Sequence, residues 1–327
     1  MSSGPPGAAS STVHTLTVPS SLAGERLDAG LAKLVPELSR ARVQHLLEGG
    51  RVLLDGRAPK PSTRLRGGEA VRIEVPPPEP TDAVPQDLPL AVLFEDAELV
   101  VLDKAPGMVV HPARGSPHST VVNALMHRLT GPEGALPRLG LAHRLDKDTS
   151  GCLAVARTER ALTALQAQFK ERTVEKTYLA LVHGAPDDEG RLDTPYGRHP
   201  GDRKRFTGRV AADRRAVTGG TVTERFGERA ALLEVRLETG RTHQIRVHLA
   251  EAGFPLLADA VYGGVRKESR LPAADPVRAA AEAIGRQALH AWKLEFDHPR
   301  TGKRVKLAAP LPADLERALA VLRAAKL

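Results

Sequence analysis

Between residues 76 and 89 the chain reads PPPEPTDAVPQDLP, and Pro76, Pro77, Pro78, Pro80, Pro85 and Pro89 together forbid a helix or a central strand there. Each proline lacks an amide donor and holds φ at about −65°. Such a stretch is an extended, semi-stiff linker. It divides the 327 residues into a unit at 13–75 and a larger one at 90–327, and a segment rich in Ser, Gly, Pro and Ala at 1–12 precedes both. That first segment reads as a disordered tail. A prior of roughly 100–200 residues per domain agrees with two units.

In the first unit Leu27, Leu31 and Leu34 stand at helical spacing, and so do Val43, Leu46 and Leu47. Ser39, ahead of Arg40, Ala41 and Arg42, is placed to cap the second helix. RVLLD at 51–55 predicts a strand, Asp55-Gly56 a hairpin turn, and VRIEV at 71–75 an alternating strand. The second unit mixes strands and helices without a strict βαβ rhythm. Strands are predicted at Leu99–Asp103, Cys152–Ala156, Thr177–Val182, Leu232–Glu238, Leu289–Phe296 and Lys303–Ala308. In the fourth, Leu233, Val235 and Leu237 alternate with Glu234, Arg236 and Glu238, which marks a half-buried strand. Helices are predicted at Glu159–Lys170, His243–Ala252 and Ala313–Lys326. This order implies an α+β domain with a mixed, largely antiparallel sheet. No internal repeat is visible.

Lys and Arg total 47 against 39 Asp and Glu, a formal charge of +8. A basic balance favours polyanionic partners, because each phosphate contact releases counterions. Residues 26–75 hold eight Arg and two Lys against two Asp and four Glu, and Arg40, Arg42 and Arg51 are the best phosphate contacts among them. A second basic run, GRHPGDRKRFTGRVAADRR at 197–215, carries seven cations including Arg203, Lys204 and Arg205 against two carboxylates. It lacks strong apolar periodicity and reads as a mobile loop clasping RNA, with a merely solvated hairpin as the alternative. Aromatic residues make up only 3%, too few for extended base-stacking platforms, so contact through phosphates and shape is expected.

Cys152 is the single cysteine, so no internal disulfide is expected and a reducing, cytoplasmic setting is. The start MSSGPPGAASST has no charged n-region or continuous apolar h-region, so no secretory signal is expected. Nor does any run of about 18 apolar residues suggest a membrane span. His243 and His248 lie five residues apart, on different faces of the predicted helix, with no third ligand nearby and no HExxH. No metal is expected.

One loop carries chemistry. HRLDKDTSG at 143–151 sits between an apolar approach, Leu139–Ala142, and the strand at Cys152–Ala156, and polar loops held by buried flanks are where reactive groups concentrate. On composition alone the segment also reads as a turn in which Asp146 or Asp148 caps backbone donors and Gly151 ends it. HRLDKDTSG resembles the signature loop of the RluA family of pseudouridine synthases, whose aspartate corresponds to Asp146. KTYLALVHG at 176–184 resembles the segment with the family's active-site tyrosine, here Tyr178. ETGRTHQIRVHLA at 238–250 resembles its third signature, in which the arginine facing the aspartate is Arg246. LLADAVYGG and RQALHAWKLEFDHPRTG are also similar to family segments, in the expected order. Arg144 resembles the family's intruding arginine, which fills the gap left by a flipped base. The N-terminal pattern RLDAGLAKLVPELSRARVQHLLEGGRVLLDG resembles the small α-L RNA-binding domain also found in a small-subunit ribosomal protein. Two departures stand out: Ala258 where the family usually has glycine, and Arg157 where it frequently has lysine. Residues 264–286 read as a variable, substrate-specific insertion.

The likeness covers about residues 13–327 and is nearest to the D-type enzymes acting on large-subunit ribosomal RNA. It implies the pseudouridine synthase fold, with a cleft on one face of the sheet, acting as a monomer on ribosomal RNA or a pre-ribosomal particle. The chemistry asks for what these positions offer. Isomerising uridine means breaking N1–C1′, turning the uracil and joining its C5 to C1′. A carboxylate beside C1′ can serve as nucleophile, charge stabiliser or base, while Tyr178 can stack on the uracil or pass a proton. A stacked uridine hides its glycosidic bond, so the base must be extruded. No redox step occurs and no water is activated, so no cofactor is expected. The competing readings are a transfer-RNA enzyme of the same family, a non-catalytic RNA-binding ribosome-assembly factor, and an N-glycosidase. Intact Asp146, Tyr178 and Arg246 argue against the second, and the lack of a water-activating partner against the third.

Overall fold

The computed structural model describes residues 11–35, 38, 40–76, 84–112, 116, 118–128, 140–202 and 204–325, with backbone only at 40–42. The chain divides between Thr81 and Asp82 into two compact units.

In the smaller unit, β1 (Thr12–Thr17), β2 (Val52–Leu54) and β3 (Ala70–Val75) form an antiparallel sheet in the order β1-β3-β2. Helices α1 (Leu27–Leu34) and α2 (Arg40–Glu48) complete it. Leu27, Leu31, Val43, Leu46, Val71 and Ile73 close one core, so the helical leucines and the alternating VRIEV meet as their periods require. Asp55 and Gly56 both have positive φ, as the tight two-residue hairpin turn demands. The strand β1 was not anticipated: TVHTLT carries little apolar signal, and pairing with β3 from Thr12↔Val75 to Thr17↔Ala70 supplies what the pattern does not. Ser39, expected to cap α2, lies outside the described residues.

The larger unit is built on nine strands: β4 (Ala91–Glu95), β5 (Leu99–Lys104), β6 (Ser150–Ala156), β7 (Glu175–His183), β8 (Glu189–Pro195), β11 (Arg215–Phe226), β12 (Ala230–Leu237), β13 (Leu289–Asp297) and β14 (Arg304–Ala308). A separate pair, β9 (Gly197–Arg198) and β10 (Phe206–Thr207), forms a small hairpin. The sheet runs β4-β5-β6-β13-β7-β12-β11-β8, with β14 also on β13, and its pairs are antiparallel except β6 with β13. All seven residues of β6 are buried, because strands flank it and helices cover it; hence an apolar run without alternation.

Six further helices are α3 (Val121–Arg128), α4 (Glu159–Glu171), α5 (Gln244–Glu251), α6 (Gly264–Glu268), α7 (Pro276–Ile284) and α8 (Ala313–Ala324). On one face α3 and α5 set Leu125 and Ile245 against Leu153, Tyr178, Ala180 and Val235. On the other, α4 covers Val101 and Ala154, and α7 and α8 cover Leu181 and Leu232. Leu315, Leu319 and Leu322 of α8 are fully buried, each stabilising by about 1.5–3 kcal/mol. Among the described residues no helix is long and apolar enough to cross a membrane.

Three expectations are corrected: the loop at 197–215, the helix start at His243 and the end of the proline-rich stretch. Residues 264–286, read as a variable insertion, are packed into the unit: α7 shares the α8 core, and Glu268 of α6 bonds His183 (2.9 Å) and the Ala258 amide (2.7 Å). The basic run at 197–215 holds a short hairpin rather than only a loop, since β9 pairs with β10 and β11 starts at Arg215. The helix expected from His243 begins at Gln244, because His243 has φ 59°. The proline-rich stretch also ends earlier than its composition suggests. The Gln86 amide donates to Asn123 O (3.0 Å) and Asn123 Nδ2 to Val84 O (2.8 Å), which ties the segment from Val84 onward to α3.

Candidate active site

Residues 143–151 hang between β5, β6 and β13, and each is held for a separate reason. His143 stacks on Phe169 (4.7 Å) and accepts from the Ala154 amide (2.9 Å). Burial, with help from Lys176, pushes its pKa down to about 3, so this histidine is a neutral strut. Leu145 is buried in the core. Lys104, at the end of β5 and 2% exposed, donates from Nζ to Ala105 O (2.8 Å), Met108 O (2.9 Å) and Lys147 O (2.9 Å). From the other side Arg286 donates to Asp148 O (2.8 Å) and Ser150 Oγ (3.2 Å) while gripping Asp314 through two bonds. Two cations, buried Lys104 and half-buried Arg286, from positions far apart in sequence, thus cap consecutive carbonyls of the loop. Gly151 has φ 107°, and a Cβ there would collide with the Ala291 carbonyl across the β6–β13 pair. Only glycine fits.

With Leu145 turned inward, Asp146 turns outward, its side chain 18% exposed. Arg246 of α5 donates from Nη1 to Asp146 Oδ2 (3.1 Å). The same guanidinium grips Asp259 through Nε (2.8 Å) and Nη2 (3.0 Å). Asp259 also accepts from the amides of Val261 and Tyr262. Burial opposes both charges, but their mutual hydrogen bonds outweigh it. The pKa of Arg246 is raised and that of Asp259 lowered. The Tyr262 ring lies under the guanidinium (5.2 Å), an added cation–π contact. Its hydroxyl meets His243 Nδ1 (2.9 Å), and His243 Nε2 stands 3.9 Å from Asp146 Oδ2. Tyr178 on β7 is 9% exposed, and burial followed by the Asp146 charge raises its pKa, so its hydroxyl stays protonated.

The structure therefore brings Asp146, Arg246 and Tyr178 to one spot. Arg144 is exposed beside them. The β9–β10 hairpin docks on Tyr262: the Phe206 amide donates to Tyr262 Oη (3.0 Å), and Arg205 lies over the Tyr262 ring (5.3 Å). Lys204 is exposed, whereas Arg203 and the side chains of Arg40 and Arg42 lie outside the described residues. Arg51 pairs with Glu74 (2.6 Å). His248 is buried and bonds the hydroxyls of Thr218 (2.8 Å) and Thr194 (3.0 Å). Among the described residues no group of three His, Cys, Asp or Glu side chains is placed to hold a metal.

The sequence reading missed Asp259, Lys104, Tyr262 and His243 as parts of the site. Asp259 had left a signal: a carboxylate inside the apolar run LLADAVYGG is costly to bury unless paired. So had Ala258, which sits at φ 56°, a conformation that favours glycine.

The sequence profile of the RNA pseudouridylate synthase family matches residues 98–251, and that of the S4 domain residues 25–71. The chain is 48% identical to the ribosomal large subunit pseudouridine synthase D of Xanthomonas campestris, over 96% of this chain and 93% of the relative. It is 42% identical to the protein of the same name from Neisseria meningitidis serogroup A, over 94% of this chain and 81% of the relative. Among solved structures, the human RNA pseudouridylate synthase domain containing 4 protein matches with a TM-score of 0.53 and 28% identity, covering 71% of this chain and 93% of that one. The chain belongs to the RNA pseudouridine synthases and, within them, to the RluA family, closely related to its D-type members.

Proposed function

We propose that the protein isomerises uridines of large-subunit ribosomal RNA, with Asp146 as the reactive carboxylate. One observation carries this reading: of the two carboxylates that Arg246 holds, Asp146 is the one open to solvent, while Asp259 beside it has no exposed side-chain surface. The geometry gives each neighbour a task. The target base leaves the stack, and exposed Arg144 is placed to take its room. Asp146 then faces C1′. As N1–C1′ breaks, positive charge on the ribose is stabilised or captured by the carboxylate, and negative charge grows on the uracil. The Tyr178 ring supplies a flat wall, and its protonated hydroxyl a hydrogen bond. After rotation C5 joins C1′, the C5 proton departs and N1 takes one up.

Binding is shared between the basic N-terminal unit and the hairpin at 197–207, in the reducing setting of the cytoplasm. The names of the relatives favour ribosomal over transfer RNA as target. The test is to map pseudouridines in ribosomal and transfer RNA from cells with and without the gene, and in transcripts treated with pure protein. Loss confined to large-subunit RNA is expected. Loss confined to transfer RNA would contradict the substrate, and no change in either would contradict the reading.

A further inference from the structure

His243 is not among the residues to which the mechanism above gives work. It occupies the left-handed region at φ 59° just ahead of α5, and its side chain is 21% exposed. Both ring nitrogens have defined surroundings. Nδ1 lies 2.9 Å from the Tyr262 hydroxyl, and Nε2 is the nitrogen on the Asp146 side, 3.9 Å from Oδ2. The tautomer follows from the network. Tyr262 Oη accepts from the Phe206 amide (3.0 Å) and can give its own proton to His243 Nδ1, and the Asp146 carboxylate on the Nε2 side favours the same arrangement, with the ring hydrogen on Nε2. A neutral imidazole that accepts at Nδ1 carries its hydrogen on Nε2. The groups facing the ring are Asp146, Asp259, Arg246, Arg144 and Tyr262. Burial, opposed by Asp146 and aided by Arg246, lowers its pKa below the ordinary histidine value, which keeps it neutral.

A neutral N–H donor thus stands beside the reactive carboxylate without bonding to it. The gap matters. A carboxylate in contact with C1′ has N1 and O2 of the uracil at its flank, the zone that Nε2 borders, and reacting atoms sit about 3–3.5 Å apart. We propose that the Nε2–H of His243 donates a hydrogen bond to the uracil as it leaves C1′, carrying part of the negative charge that spreads over N1 and O2. The electron pair of the N1–C1′ bond stays with the uracil, C1′ becomes cationic or bonded to Asp146, and His243 keeps its proton. It is an electrostatic partner of the leaving group, not an acid that is consumed. The Tyr262 hydroxyl holds the useful tautomer, and the hairpin amide at Phe206 holds Tyr262. This rests on the Asp146-centred reading above.

The test varies the leaving group. Large-subunit ribosomal RNA transcripts are made with uridine or with 5-fluorouridine, whose uracil is the weaker base and departs more readily. Single-turnover loss of the N-glycoside is then read in nuclease digests. Removing one donor to a developing anion costs about 10²-fold, so His243→Ala should slow uridine by about that factor and 5-fluorouridine by less than about 10-fold. His243→Gln, which returns an amide N–H near the same place, should recover much of the uridine rate. Equal slowing of both substrates, or a Gln variant no faster than Ala, overturns the inference. If His243→Ala fails to fold in urea titrations, Tyr262→Phe, which frees the tautomer, must show the same leaving-group dependence or the inference falls. Asp146→Asn separates the two ideas: it should be inactive on both substrates, and activity there would sink the underlying reading whatever His243 does.

Discussion

Arg246 gives Asp259 two hydrogen bonds and Asp146 one. The arginine that faces the proposed reactive carboxylate is therefore first the partner of a different, fully buried one. Asp259 fixes the plane of the guanidinium, and Asp146 receives the remaining nitrogen. A planar fork can do this; a lysine ammonium cannot.

Removing Arg246 should orphan Asp259 more than Asp146. Arg246→Ala is expected to cost about 3–5 kcal/mol, as breaking a buried pair does. Adding Asp259→Asn should recover more of that loss than adding Asp146→Asn, since Asp146 keeps access to water. Double-mutant cycles by urea unfolding measure both couplings. A larger recovery with Asp146→Asn would mean that the primary pair has been misassigned.

Lys104 should give the enzyme an alkaline limit. Burial, opposed in part by Asp148, Asp146 and Asp103 and aided by Arg286, pushes its pKa down to about 8. Below that pH the ammonium has a hydrogen for each of three carbonyls; above it the amine has one too few, and one of the carbonyls that position the Asp146 loop loses its donor. Turnover should fall as pH rises through about 8. Lys104→Met should be slower by about 10²-fold through misplacement of the carboxylate and should lack that limb. An unaltered pH profile in the variant would remove Lys104 from the account.

Gly151→Ala tests the close approach of β6 and β13. Strained φ and overpacking together should cost about 2–5 kcal/mol, seen as a lower urea midpoint for the larger unit. A variant as stable as wild type would show that the strands can part without penalty.

How much of this could be read from the residues differs by layer. The strands at Leu99, Cys152, Thr177, Leu289 and the helix at Glu159 were legible because period and flanking residues agree. β8 and β11 were not, since EGRLDTP and RAVTGGTVTERF carry charge and glycine on strands half open to solvent. Asp146, Tyr178 and Arg246 could be named from their motifs. Their supports could not: Lys104 and Arg286 act on backbone carbonyls, which have no sequence signature, and the pairing of Arg246 with Asp259 is fixed by tertiary geometry. His243 looked like the first residue of a helix, and its left-handed backbone turns the ring toward Asp146 instead.

The central claim is that the Asp146 carboxylate performs the isomerisation. Asp146→Asn keeps the volume, leaves the Asp259 bonds to Arg246 in place, and changes the charge alone. Pseudouridine formed per mole of enzyme on large-subunit ribosomal RNA, measured beside the affinity for the same RNA, should fall to background with binding nearly unchanged. A variant that binds normally and retains more than a small fraction of the wild-type rate would contradict the account.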